Sequence, residues 1–252
     1  MLRPFLRKRA KISRGIWNTY VVKKGRIHDD RSRWDELHYT QGVSDSRTLS
    51  AGKSPISARY HYASVELQIL RHLGHVGMEV EGREILDIGA GAGHWIEFYR
   101  SLGSVRTVAL DVSRASVAYL RNRYEQCPDV TILHGKASEL LGGLEGRFDI
   151  VNAIGVMFHI VDDVEWSTTI EHMAGVLKPQ GQLVIGGHFG LIDGLNVQFD
   201  ANGGVNKRLR SKRRWRKALK QAGFRDIRIY RNGAYLRIHD VLPENNLLIA
   251  SR

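Results

Sequence analysis

Two stretches of the chain hold residue types whose spacing could do chemistry. Asp87-Ile88-Gly89-Ala90-Gly91-Ala92-Gly93 sets an acid two residues ahead of three glycines spaced Gly-x-Gly-x-Gly. Glycine reaches backbone angles closed to other residues and lets a ligand come close to the main chain. Asp111 ends the next apolar run, where a carboxylate is placed to accept hydrogen bonds from ribose hydroxyls. A dinucleotide fingerprint needs a third glycine where this chain has His94, so the pattern favours a nucleoside without a pyrophosphate. The bland alternative is that the glycines only permit a tight turn between a strand and a helix. The second stretch, Asn152 to Asp163, contains His159, a side chain with the basicity of a proton acceptor near neutral pH. Its alternative is a histidine that only shapes a packed pocket. Asp162 and Asp163, ahead of a helical run, read as helix caps.

These residues have to be held by a scaffold, and the chain is long enough to supply one. Its 252 residues, 42% hydrophobic and 25% charged, describe an ordinary globular protein and exclude a disordered or fibrous one. A single cysteine, Cys127, excludes an intrachain disulfide and a thiolate metal site, and suits a reducing, cytoplasmic compartment. No continuous apolar run is long enough for a spanning helix or a secretory signal. Short runs rich in Val, Ile, Leu and Phe begin near residues 84, 107, 131, 148 and 183, with helix-like segments at 93–103, 113–126 and 162–178 between them. Strands alternating with helices of that length predict an α/β fold, a parallel sheet covered on both faces. The spacing then predicts a helix from Lys207 to Ala222 and closing strands at Ile227 to Tyr235 and Asn246 to Ser251. Residues 42–57 read as loop, and Ala58 to Leu73 as a helix leading into the core. This divides the chain into a basic N-terminal and lid region, 1–57, and a core domain, 58–252.

Four segments in order give a resemblance: Ile85 to Gly93, Val108 to Val112, Phe148 to Ile160, and Leu177-Lys178-Pro179-Gln180-Gly181-Gln182-Leu183. Over about residues 60–252 the chain resembles the class I S-adenosylmethionine-dependent methyltransferases. The last segment is similar to the family's Leu-Lys-Pro-Gly-Gly turn, with Gln180 replacing a glycine. The resemblance implies a Rossmann-like, seven-stranded, mostly parallel sheet ending in an antiparallel hairpin. It also implies S-adenosylmethionine as cofactor, with Gly89, Ala90 and Gly91 near its amino-acid part, Asp87 on its ammonium group and Asp111 on its ribose. Val112, Ala137, Ser138 and Ala153 complete the implied cofactor set. The family often has an acid for the adenine amino group after strand three; here that position is Lys136, which cannot accept a hydrogen bond, so Ser138 or backbone must serve. His159 becomes the base or orienting group for a hydroxyl acceptor that is small, or glycan- or lipid-linked. Residues 152–155, Asn-Ala-Ile-Gly, lack the Asn-Pro-Pro-Tyr pattern of amino-group methylation.

Charge is segregated along the chain. Of the net +12, residues 1–33 carry +9 and residues 206–220 another +9, leaving the remainder at about −6. Residues 2–21 on a helical wheel put Leu2, Phe5, Leu6, Ile16 and Trp17 on one side, with mostly arginine and lysine on the other. Such a helix can lie on an anionic membrane surface, pack on the core, or act as a targeting segment. The basic run at 207–220 admits phosphate, lipid-headgroup or RNA binding, and RNA is the lesser reading because no interleaved aromatics mark it. An RNA methyltransferase and a non-catalytic cofactor-binding scaffold stand as alternatives to small-molecule O-methylation. Trp34, His38 and Tyr39 read as lid residues or as packing. No histidine or carboxylate spacing marks a metal site. Acceptor identity and oligomeric state have no signature in the sequence.

Overall fold

A computed structural model gives the fold of residues 30–49, 54–144, 147–190, 193–198, 205–231 and 245–252. The amphipathic segment 2–21 lies outside these described residues. Helices α1 (Asp30–Gln41), α2 (Asp45–Leu49) and α3 (Pro55–Val76) precede the sheet. The body then runs β1 (Glu84–Ile88), α4 (His94–Ser101), β2 (Arg106–Asp111), α5 (Arg114–Arg123), β3 (Val130–His134), α6 (Ala137–Leu140) and β4 (Phe148–Ile154). It continues through α7 (Asp163–Val176), β5 (Leu177–His188), β6 (Leu195–Gln198), β7 (Val205–Leu209), α8 (Lys212–Gln221), β8 (Arg225–Arg231) and β9 (Asn245–Ser251).

Seven strands form one sheet in the order β3-β2-β1-β4-β5-β9-β8, parallel as far as β5 and antiparallel beyond it. This is the Rossmann-like sheet with a closing antiparallel pair that the sequence predicts. Strand β9 enters between β5 and β8. Register explains the apolar runs: Leu86, Val151, Leu183 and Ala250 face one another across four strands on one side, against Trp166, Met173 and Leu219. Ile85, Ile150, Val184 and Ile249 line the other side with Tyr62, Ile69 and Tyr99. With both faces covered, the residues on both sides of each strand are mostly apolar, which is why the runs look continuous.

Three expectations need amending. The helix expected from Ala58 starts at Pro55, where Ser54 Oγ accepts from the Ser57 amide, and ends at Gly77, whose φ is 66°. The loop-like stretch 42–57 contains α2. The basic helix begins at Lys212, capped by Ser211, because Val205–Leu209 pairs antiparallel with Leu195–Gln198 as a two-stranded ribbon. Trp215 and Leu219 still face inward.

Gln180, where the resemblance implies glycine, has φ 66°. A side chain at a left-handed position costs about 1–2 kcal/mol, while glycine loosens the unfolded chain by roughly 0.5–1 kcal/mol. Gln180→Gly is therefore expected to raise stability by up to about 1 kcal/mol in denaturant unfolding. A loss of stability would show that the Gln180 side chain contributes more than its strained backbone costs.

Candidate functional site

Strand order reverses between β1 and β4, and in open α/β sheets ligands bind at that point, beyond the carboxyl ends of the strands. Beyond β1 the chain turns through Gly89 and Gly91, with φ of 74° and 55°. A Cβ on Gly89 would lie 2.2 Å from Val156 Cγ2, and one on Gly91 2.9 Å from Thr48 Cγ2. A side chain at Gly91 would therefore first meet α2, not an open cofactor space.

The loop is held from beneath by β2. The amides of Gly89 and Ala90 both donate to Leu110 O. The Gly91 amide donates to Asp111 Oδ2 at 2.9 Å, and the Ser113 amide donates to Asp111 Oδ1 at 2.8 Å. Asp111 is buried and ties the glycine loop to the start of α5. Burial pushes its carboxyl above the usual range, and the two amides act against that. Each oxygen keeps a further lone pair for a ligand.

Asp87 and Asn152 are direct neighbours in the β1–β4 register. Asn152 Nδ2 donates to Asp87 Oδ1 at 2.8 Å, and Tyr99 OH donates to Asn152 Oδ1 at 3.3 Å. Asp87 Oδ2 is buried with no hydrogen-bond partner among the described residues. Burial raises the Asp87 carboxyl to about 7.

The opposite wall follows β4. The chain turns at Gly155 (φ 82°), and the His159 amide donates to Val156 O at 2.8 Å. The buried His159 ring lies 4.4 Å from the Phe158 ring and meets Trp34 edge-on at 5.1 Å, centroid to centroid. Trp34 comes from α1, which is fastened across the start of α5. Asp35 Oδ1 accepts from the Arg114 amide at 2.6 Å, and His38 Nδ1 lies 3.0 Å from Ser113 Oγ and 2.9 Å from Ser116 Oγ. Burial lowers the His38 pKa, with Asp111 and Asp35 pulling it back up. Tyr39 is 73% exposed and takes no part in this wall. Trp34 and His38 are packed against His159 and the start of α5, and Tyr39 faces solvent.

On the remaining side, Ser138 Oγ donates to Glu165 Oε1 at 3.1 Å and Lys136 Nζ lies 3.4 Å from the same oxygen. Ser138 therefore has its proton committed to Glu165. Val112 is half-buried at the end of β2, and Ala137 is buried at the start of α6. Ala153 is fully buried in the main core cluster. Asp162 caps α7 as expected, accepting from the Val164 and Glu165 amides, but Asp163 does not.

Thr48, Tyr62 and His94 also belong to this site and were not read from the sequence. Tyr62 stacks on His94 at 3.6 Å, and His94 sits 2.7 Å from Glu66 and 3.6 Å from Asp45. The position of His94 directly after Gly93 was the available signal. Among the described residues no cluster of three or more histidine, cysteine or carboxylate side chains could hold a metal ion. None of the described helices is long and apolar enough to cross a membrane.

Residues 85–181 match the model of a family described as a methyltransferase domain. No curated protein matches the chain significantly. Among solved structures, the chain is similar to a 1,6-didemethyltoxoflavin-N1-methyltransferase from Burkholderia thailandensis with bound S-adenosylhomocysteine. That match has a TM-score of 0.64 and 19% identity, covering 88% of this chain and 86% of the other. A magnesium protoporphyrin IX methyltransferase from Synechocystis PCC 6803 gives 0.63 and 17%, covering 89% and 98%. A phosphoethanolamine N-methyltransferase 2 from Haemonchus contortus gives 0.66 and 18%, covering 90% and 60%.

Proposed function

We propose that the chain is a class I S-adenosylmethionine-dependent methyltransferase, as the match of residues 85–181 to a methyltransferase-domain model supports, and that it methylates a hydroxyl of a small, glycan- or lipid-linked acceptor with His159 as the base. The observation that carries this reading is the buried His159 ring, enclosed by Phe158 and Trp34 beside the glycine loop.

The residues fit the cofactor. Asp87 Oδ2 is a buried acceptor lacking a partner among the described residues, which suits the cofactor's ammonium group. Asp111 has lone pairs left for the ribose. When bound, the cofactor supplies a methyl on a sulfonium sulfur. His159 takes up the hydroxyl proton of the acceptor, while Trp34 and Phe158 exclude water and fix its approach. Glu165, paired with Lys136, stands in the neighbourhood where the family often has an acid for adenine.

The test is transfer of labelled methyl to separate pools of small molecules, lipid extract and RNA. We expect label in the first or second pool. His159→Gln should lower that transfer by about 10²–10⁴-fold and leave cofactor affinity by calorimetry unchanged. Label in RNA alone, cofactor binding without transfer to any pool, or full transfer by His159→Gln would each overturn the reading.

A further inference from the structure

Three arginines converge on a single carboxylate where the β6–β7 ribbon meets α7. Asp163 lies 2.6 Å from Arg208 Nη2, 2.9 Å from Arg210 Nη2 and 3.0 Å from Arg214 Nη2. Arg210 is 1% exposed, its guanidinium 4.5 Å over the Trp166 ring, and it also donates to the main-chain oxygens of Asp162 and Arg208. Its hydrogen bonds are satisfied within the fold, so its role is to brace. Arg208 and Arg214 differ: their side chains are 27% and 31% exposed, and Arg208 Nε is buried with no partner among the described residues.

One carboxylate cannot neutralise three guanidiniums. Among the described residues two further acids lie nearby, Asp162, which accepts the Val164 and Glu165 amides, and Asp193, which accepts the Ser211 amide and feels the charges of Arg213 and Arg214, so the cations still outnumber them. Lys207, Lys212 and Arg213 add cations to the same segment. Like charges packed together destabilise a fold unless something offsets them, and a planar guanidinium fork is shaped for oxygens of a carboxylate or phosphate.

The cluster is fastened to the transfer site by one residue. The Arg208 amide donates to Phe158 O at 2.8 Å, and Leu209 packs on Phe158. The Lys207 ammonium lies 5.2 Å from the Phe158 ring centroid, and Phe158 touches His159. Asp163 itself follows His159 by four residues.

We propose that the acceptor carries an oxyanion, a phosphate or a carboxylate, and that Arg208 and Arg214 hold it beside His159. This rests on His159 marking the transfer site. Arg210 and Asp163 position the two arginines, and the hydroxyl to be methylated lies on the Phe158 side of the bound anion.

Binding is read by calorimetry with inorganic phosphate and with acetate as probes, at constant ionic strength against chloride. We expect heat of binding from at least one probe, and at least a tenfold loss of its affinity in Arg208→Gln and in Arg214→Gln. Arg214→Gln changes one helix side chain and keeps the Arg210–Asp163 pair, so a fold defect in Arg208→Gln would not leave the question open. Labelled product from the pool experiment should also bind an anion-exchange resin at pH 8. Association with phosphatidic acid vesicles and not with phosphatidylcholine would assign the anion to a lipid headgroup; binding of glycerol 3-phosphate without vesicle association would assign it to a soluble acceptor. Unchanged probe affinity in both variants, or a labelled product that passes through the resin, overturns the proposal. The product result does so while leaving methyl transfer at His159 intact, and loss of transfer dependence on His159 with phosphate binding intact would fail the transfer reading alone.

Discussion

Asp87→Asn will unfold at higher denaturant than the natural protein at pH 8, and it will no longer bind S-adenosylmethionine. The Asp87 carboxyl is buried and raised from 3.8 to about 7, chiefly by desolvation. A carboxyl whose folded pKa lies above its unfolded value stabilises the fold fully below the unfolded pKa. That contribution is lost as pH rises through the folded value. Three units correspond to about 4 kcal/mol, so above pH 7 the ionised group weighs against the cofactor-free fold by an amount of that order. Asparagine carries no charge and can still accept from Asn152, so the penalty disappears. The gap between variant and parent should be widest at pH 8 and close as pH falls towards 4. Adding cofactor should stabilise the parent and not the variant, because a bound ammonium offsets a buried carboxylate and does nothing for an amide. Unfolding curves at pH 4, 6 and 8, with and without cofactor, check this. Equal stability at pH 8, or retained affinity in the variant, would sink it.

The second acid of the site is also raised by burial, but it accepts two buried backbone amides, and their loss should outweigh the relief and give the opposite sign. Asp111→Asn is expected to lower stability by about 1–3 kcal/mol and to weaken cofactor binding at least tenfold. Both Asp111 oxygens accept backbone amides, from Gly91 and Ser113. Asparagine has one acceptor oxygen, so one buried amide would face an NH2 group. Releasing the Gly91 amide frees the glycine loop, and affinity falls with it. Denaturant midpoints and calorimetry on the same preparation separate the two effects. A variant with full stability and reduced affinity would make Asp111 a ribose ligand only, the simpler role implied by the sequence resemblance.

The contrast between the two acids shows where sequence reading stops. The apolar runs and the glycine spacing are local patterns, and they predict the strands, the turn after β1 and the acids beside it. The Asp87–Asn152 pair depends on register between strands 65 residues apart, which no local pattern encodes. The ribbon of β6 and β7 was missed for the same reason. Lys207-Arg208 continues the charge of the next helix, and only pairing with Leu195–Gln198 and the cap at Ser211 separates the two. In α2 the surrounding Ser and Gly hid five helical residues, and with them Thr48 over the loop. Trp34, His38 and Tyr39 precede the core in sequence, and only the helical register of α1 turns Trp34 and His38 inward. The same register carries Tyr39, adjacent to His38, to the outer face.

The place of β9 sets an order on synthesis. Residues 245–251 supply the strand that joins β5 to β8, so β8 has no neighbour in the sheet until they have emerged from the ribosome. A nascent chain that stops at Arg231 already carries β1 to β5, with one long edge of β5 unpaired. Exposed edges of that kind invite pairing with other chains. Closure of the sheet therefore waits for residues 245–251, and until they pair the free edge of β5 is open to strands of other chains.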